Sequence, residues 1–183
     1  NTIKQLSENK DSNITQYISE IVDDFNIMNP IDYCNNPTVN LITHRYYEIC
    51  KKNNINFTIS IKNANIDFIK EHDITALLDN LLENAVESAL MTNEKFIDFS
   101  ISTRNSNFVI IKISNSCNKK PKYIDGTLVS SKSTSGMHGI GTRSIKRVVK
   151  KYNGNLEMKF DNDTKTFTSV IGINSNLPSN NQS

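Results

Sequence analysis

Asn80, Asn84 and Glu87 follow one another at spacings of four and three, so on a helix they share one stripe. Asparagine is a mediocre helix former, because its amide competes for backbone groups. Two of them one turn apart cost about 1 kcal/mol relative to alanine at both positions. Two readings of the stripe stand. It is a solvated face in a chain rich in Asn, or a pair of amides whose oxygens coordinate Mg²⁺ and whose NH₂ groups meet phosphate. Mg²⁺ takes oxygen ligands and often shares them with substrate phosphates.

A second group is Gly136-Met137-His138-Gly139-Ile140-Gly141, which leads into a helix. Glycines let backbone N–H groups approach an anion closely, and a helix N-terminus adds about half a positive charge. A loop that merely needs a flexible backbone would look the same. The run is not a P-loop, since GxxxxGK[ST] is missing. A dinucleotide fingerprint would need a third glycine at Ser144 and a surrounding parallel βαβ unit. Asn115, placed at the end of a strand and the mouth of a long loop, could read a base edge, although a lone Asn there is more often a turn residue.

The elements that must position these residues follow from periodicity. Ile74, Leu77, Leu78, Leu81, Leu82, Ala85, Val86 and Ala89 predict an amphipathic helix from about Asp73 to Leu90, with Asp73, Ala76 and Glu83 flanking its polar stripe. Asn36-Pro37 opens a helix carrying Val39, Ile42, Tyr46 and Ile49, which ends near Asn53-Asn54. Thr142–Tyr152 is a helix stopped by Asn153-Gly154. Alternation predicts strands at 55–61, 96–103, 107–114, 155–160 and 166–173. Cys117–His138 has no period and reads as a functional or mobile loop. Upstream, Ser12 caps a helix bearing Ile14, Tyr17, Ile18, Ile21, Val22 and Phe25, half of a helical hairpin with Thr2–Ser7. The expected fold class is α+β, a two-layer sandwich in which three helices cover one face of a mixed, mostly antiparallel sheet of about five strands.

Composition narrows the field. At 37% hydrophobic and 22% charged residues, the chain is too apolar for disorder and too polar for a membrane bundle. No apolar run approaches the ~20 residues that span a bilayer. A net charge of +2 supplies no field for nucleic acid, and the cations Lys146, Arg147, Lys150 and Lys151 read as partners of a helix C-terminus. Cys34, Cys50 and Cys117 lack metal or disulfide spacing. His44 reads as a packing or surface residue and His72 as a turn residue.

The order and spacing of these signals resemble the Bergerat (GHKL) ATP-binding fold over about Asn36–Ile173. Asn80-Leu81-Leu82-Glu83-Asn84-Ala85-Val86-Glu87-Ser88-Ala89 looks like its N box, and His138-Gly139-Ile140-Gly141-Thr142 like its second glycine box. With the trailing Lys151-Tyr152-Asn153-Gly154, the variant is similar to quorum-sensing sensor histidine kinases of the AgrC and VirS type. The resemblance implies Mg²⁺ and ATP as cofactors. It makes Asn84 the principal Mg²⁺ ligand and Asn80 a phosphate or second metal contact. Gly139 and Gly141, flanking Ile140, would cradle phosphates through backbone N–H groups, with His138 as a possible phosphate contact. Lys132 could neutralise phosphate from the lid, and Asn115 would stand in place of the adenine-reading Asp of the first glycine box. That box is otherwise nearly absent, since Ser116 and Cys117 follow. A neutral amide accepts more weakly than a carboxylate, so weak ATP binding is expected. GHKL enzymes that hydrolyse ATP carry a water-activating Glu four residues before the metal-binding Asn. Here that position is Asn80, which suits phosphoryl transfer to a His.

The same resemblance divides the chain into 1–35, a remnant of a dimerisation and histidine-phosphotransfer hairpin with its linker, 36–174, the catalytic ATP-binding domain, and 175–183, a polar tail. The first residue is Asn, not Met, and the phosphoacceptor His is expected upstream of it. A response regulator and a homodimeric full-length protein are the implied partners. The implied location is the cytoplasmic part of a kinase anchored in the membrane by a sensor segment outside this chain. The alternative is a non-catalytic dimerisation or docking module with a degenerate nucleotide site.

Overall fold

A computed structural model describes residues 33–62, 64–105, 107–121, 123–124, 127–128 and 140–176. The helical hairpin expected over Thr2–Phe25 and most of the polar tail lie outside the described residues. In chain order the elements are α1 (Pro37–Lys52), β1 (Asn56–Lys62), α2 (Glu71–Leu90), β2 (Phe96–Arg104) and β3 (Phe108–Ser116). Then come β4 (Tyr123–Ile124), β5 (Thr127–Leu128), α3 (Ile140–Lys151), β6 (Asn155–Asp161) and β7 (Thr166–Asn174).

The main sheet has the order β1-β2-β3-β7-β6. Only β1 and β2 run parallel, in register from Asn56 opposite Phe96 to Lys62 opposite Ser102. The other pairs are antiparallel. The fold is thus α+β, a mixed five-stranded sheet with three helices, as the periodicity predicts. Alternation along β2, β3 and β7 sends Ile97, Phe99, Ile101, Val109, Ile111, Ile113, Ile171 and Ile173 to the helix-covered face, where all are buried. There they meet Leu77, Leu78, Leu81 and Leu82 of α2, Ile145 and Val148 of α3, and Val39 and Ile42 of α1.

Local chemistry sets the element ends. Asn36 caps α1: its side-chain oxygen accepts from Val39 N at 3.0 Å, and Pro37 follows at the first turn. Its Nδ2 donates to Asp67 Oδ1 at 2.9 Å. Asn54 and Asn153 stand in the left-handed region, at φ 54° and 51°. Each lets the next residue bond back into the helix, Ile55 N to Cys50 O at 2.9 Å and Gly154 N to Val149 O at 2.8 Å. His44 stacks on Tyr47, with ring centroids 6.4 Å apart, which is the packing role expected of it.

Four expectations need correction. The segment 117–138, read as lacking secondary structure, contains the short β4–β5 ladder, too brief to carry a period. The helix α2 begins at Glu71, so His72 lies in its first turn and not in a loop. Asp73 does not flank a solvated stripe: it is buried, 6% exposed. Lys151 is more than a dipole partner, since its Nζ stands 2.6 Å from Asp73 Oδ2. Tyr152 completes that cluster. Its hydroxyl donates to Asp73 Oδ2 at 2.7 Å and accepts from Lys70 N at 3.0 Å, while its ring meets Phe68 edge-on. Burial alone would push the Asp73 carboxyl up; the hydrogen bonds from Lys151 and Tyr152, with the Lys151 charge, outweigh it and hold the pKa below its ordinary value. The same contact raises Lys151.

Candidate functional site

The helix α2 is fixed to α1 just ahead of Asn80. Arg45 pairs with Asp79, its guanidinium lies 4.9 Å from the Tyr46 ring centroid, and the Tyr46 hydroxyl donates to Asp79 O at 3.1 Å. Asn80 itself is half-buried. Its Nδ2 donates to Ala76 O at 2.5 Å, which uses one of its two N–H groups within the helix and fixes the direction of the carboxamide. The Oδ1 then faces Gly141, where an added Cβ would stand 2.7 Å away. A Cβ on residue 141 would oblige the Asn80 carboxamide to shift, so glycine is what lets α3 approach this rotamer of Asn80.

One turn beyond Asn84 on the same stripe, Ser88 Oγ donates to Ser116 O at 3.3 Å. Asn115 Nδ2 donates to the same carbonyl at 2.9 Å. The strand β3 runs through Ser116, two residues past its expected end, because Ser116 Oγ accepts from Phe96 N at 3.2 Å and meets Thr92 Oγ1 at 2.9 Å. Asn115 therefore lies within the strand, paired with Ile97 and Phe167, and is 3% exposed. Alternation puts it on the face of Ile111 and Ile113, beneath the helices. The Asn115 bond to Ser116 O fixes the direction of its carboxamide, and its Oδ1 can accept a hydrogen bond.

Asn84 lies between these two anchors and is exposed. The structure thus brings Asn80 and Gly141 together at one end of the α2 stripe and Asn115 to the other, with Asn84 open between them. Ile140 begins α3. Lys132, His138 and Gly139 lie outside the described residues. Among the described residues no three His, Cys, Asp or Glu side chains gather as a metal site. The oxygen donors here are amides, hard ligands of a kind that suits a Mg²⁺ ion retaining waters and phosphate oxygens. At the start of α3, Gly141 packs so closely on Asn80 that a Cβ would meet its Oδ1. The sequence did not single out Asp73, Lys151, Tyr152, Thr92 or Ser116 for these roles. Their partners are far apart in sequence, which hides such contacts from periodicity.

Residues 69–173 match the GHKL domain family. The chain belongs to that family. Within it, a "Probable C4-dicarboxylate sensor kinase" of Bacillus subtilis (strain 168) is 29% identical over 112 residues, 57% of this chain and 20% of that protein. The chain thus spans about a fifth of that relative's length. The fold is shared with the catalytic domain of the histidine kinase ThkA in a nucleotide-free form, at TM-score 0.57 and 18% identity over 75% of this chain and 92% of that one. It is shared as well with the mycobacterial sensor histidine kinase MprB, at TM-score 0.56 and 14% identity over 74% and 95%. This GHKL domain has the fold of histidine kinase catalytic domains. No helix among the described residues is long and apolar enough to cross a membrane.

Proposed function

We propose that this GHKL domain is the ATP-binding, catalytic portion of a two-component sensor histidine kinase. It binds Mg²⁺-ATP and passes the γ-phosphoryl group to a His outside this chain, and from there to an Asp of a response regulator. The observation that carries the reading is the α2 stripe itself. Asn80 is held against Gly141, Asn84 is open, and Asn115 is buried at the far end.

In this reading Asn84 Oδ1 and Asn80 Oδ1 would hold the metal, which when bound neutralises charge on the phosphates. The backbone N–H groups of Gly139 and Gly141 donate to phosphate oxygens, with His138 and Ile140 as further nucleotide contacts and Lys132 as a neutralising cation. Asn115 Oδ1 accepts from the exocyclic amine of adenine. One N–H of its Nδ2 is held by Ser116 O, which orients the carboxamide, and the Oδ1 favours a base carrying an amine there. The acceptor is neutral, so affinity is modest. In the transfer, the bond between the γ-phosphorus and the bridging oxygen breaks as a bond to the imidazole nitrogen forms, and ADP leaves. The domain's work is positioning and charge stabilisation. The position a water-activating Glu would fill is Asn80, with its amide turned to Ala76 O and Gly141, which disfavours hydrolysis.

The quorum-sensing subtype rests on the Asn84-Ala85-Val86-Glu87, His138–Gly141 and Lys151–Gly154 variants. A membrane anchor outside this chain, a homodimer and the division at about residue 36 belong to the same reading. A second reading, a docking module with a degenerate nucleotide site, is favoured by one observation: Asn115 replaces a carboxylate and no glycine box follows. Calorimetric titration of ADP, with and without Mg²⁺, up to millimolar concentration separates the two. Saturable, Mg²⁺-dependent binding supports the kinase reading, and its absence from the folded protein supports the docking module.

A further inference from the structure

The helix α3 meets α2 near both of its ends, by close packing at its start and by polar contact at its end. At its start Gly141 lies against Asn80, and at its end Lys151 and the adjoining Tyr152 close on Asp73. Asp73 lies two turns before Asn80 on α2, so the helices run in opposite directions and α3 is pinned at both ends. At the far joint Asp73 and Tyr152 are buried, 6% and 4% exposed, while Lys151 is half-buried. Tyr152 extends it to the backbone, since its hydroxyl also receives Lys70 N, the residue that precedes α2. The helix between the two joints is twelve residues long, so a displacement of the whole helix would carry Gly141 along with Lys151.

We propose that Asp73, Lys151 and Tyr152 form a latch that positions the phosphate-binding start of α3 against Asn80, so that the latch tunes affinity for the phosphates of a nucleotide without touching it. The part concerning nucleotide rests on the function proposed above; the part concerning position does not. These are positioning residues. None meets Asn84 or Asn115, and the latch lies at the opposite end of α3 from Gly141.

The test uses Lys151→Met and Tyr152→Phe, which remove the polar contacts but retain bulk and the Phe68 packing, with Lys151→Arg as the conservative control. Amide chemical shifts of Gly141, Thr142 and Arg143 are compared in nucleotide-free protein, with Ile101 and Ile111 as remote references. The Met and Phe variants are expected to displace the first three and leave the references, while Arg restores the native pattern. Unmoved Gly141 and Thr142 in a folded Lys151→Met protein overturn the latch. ADP and adenosine are then titrated into each variant. ADP binding is expected to weaken by on the order of tenfold, the scale of small misplacements at a site. Adenosine binding is expected to hold. Equal loss for both ligands overturns the phosphate-specific role. A wild-type protein that binds neither ligand sinks the proposed function, and the amide shifts then decide the latch alone.

Discussion

Gly141 lies so near Asn80 that a Cβ on the glycine would stand 2.7 Å from the asparagine Oδ1. The position is helical and has no left-handed φ, so the backbone does not require glycine there. A helix interior ordinarily favours alanine over glycine by about 1 kcal/mol. Close approach is what holds the glycine in place, and it ties the asparagine stripe to the start of α3.

Gly141→Ala is therefore expected to cost nucleotide affinity far more than stability. The gain in helix propensity offsets part of the clash, while α3 shifts off Asn80. Asn80→Ala in the same chain removes the obstructing oxygen and should restore the Gly141→Ala melting temperature, though not binding. A double-mutant cycle on melting temperature and on ADP titration reads both effects. Additive melting effects would count against the contact.

Asn84→Ala should leave the fold untouched. The residue is exposed, and alanine is the better helix former by about 0.5 kcal/mol. Mg²⁺-dependent ADP binding should be lost. Circular dichroism melting beside calorimetry checks both halves, and retained Mg²⁺-dependent binding would remove Asn84 from the site.

The Asp73 cluster makes stability depend on pH at both extremes. The folded pKa of Asp73 is depressed, so its contribution is fully present above the unfolded value of about 3.9 and fades as pH falls through the folded value. The folded pKa of Lys151 is raised, so its contribution is present below about 10.4 and fades as pH rises through the folded value. Asp73→Asn should lower stability at neutral pH and flatten the acid side of the profile. Urea denaturation at intervals from pH 3 to 7 follows the change; an acid limb parallel to wild type would show that other carboxylates carry it.

Thr92→Val targets the far end of the stripe. Thr92 Oγ1 donates to Ala89 O at 2.7 Å and meets Ser116 Oγ, with Phe96 N bonded to that same serine. The substitution keeps the shape and strips the buried partners, which costs about 1–3 kcal/mol. The midpoint of urea unfolding should fall with little change in slope. Because Ser116 O anchors Asn115, adenosine affinity should fall as well.

Elements with a sustained period were legible in the sequence. The heptad-like run from Ile74 to Ala89 and the alternation of β2, β3 and β7 each bury one face against one core, so pattern and structure coincide. The Asn80–Gly141 neighbourhood could be named from residue types but not measured. Asp73 was misplaced because its partners follow 78 and 79 positions later, and a lone carboxylate in a first helical turn looks like an ordinary dipole partner. Asn115 looked like a strand end because Ser116 and Cys117 are polar or small; the strand continues because Thr92 and Phe96 satisfy Ser116.

The parallel pairing of β1 with β2 has a kinetic consequence. The strands β2 and β3 close on each other through the short connection at Asn105–Asn107, whereas Asn56 reaches Phe96 only after the whole of α2 has been spanned. Loop-closure entropy favours the hairpin first and the crossover later. Both asparagines ride on that crossover helix. The helix that carries Asn80 and Asn84 is thus the connection whose closure brings β1 beside β2, a longer loop to close than that of the β2–β3 hairpin.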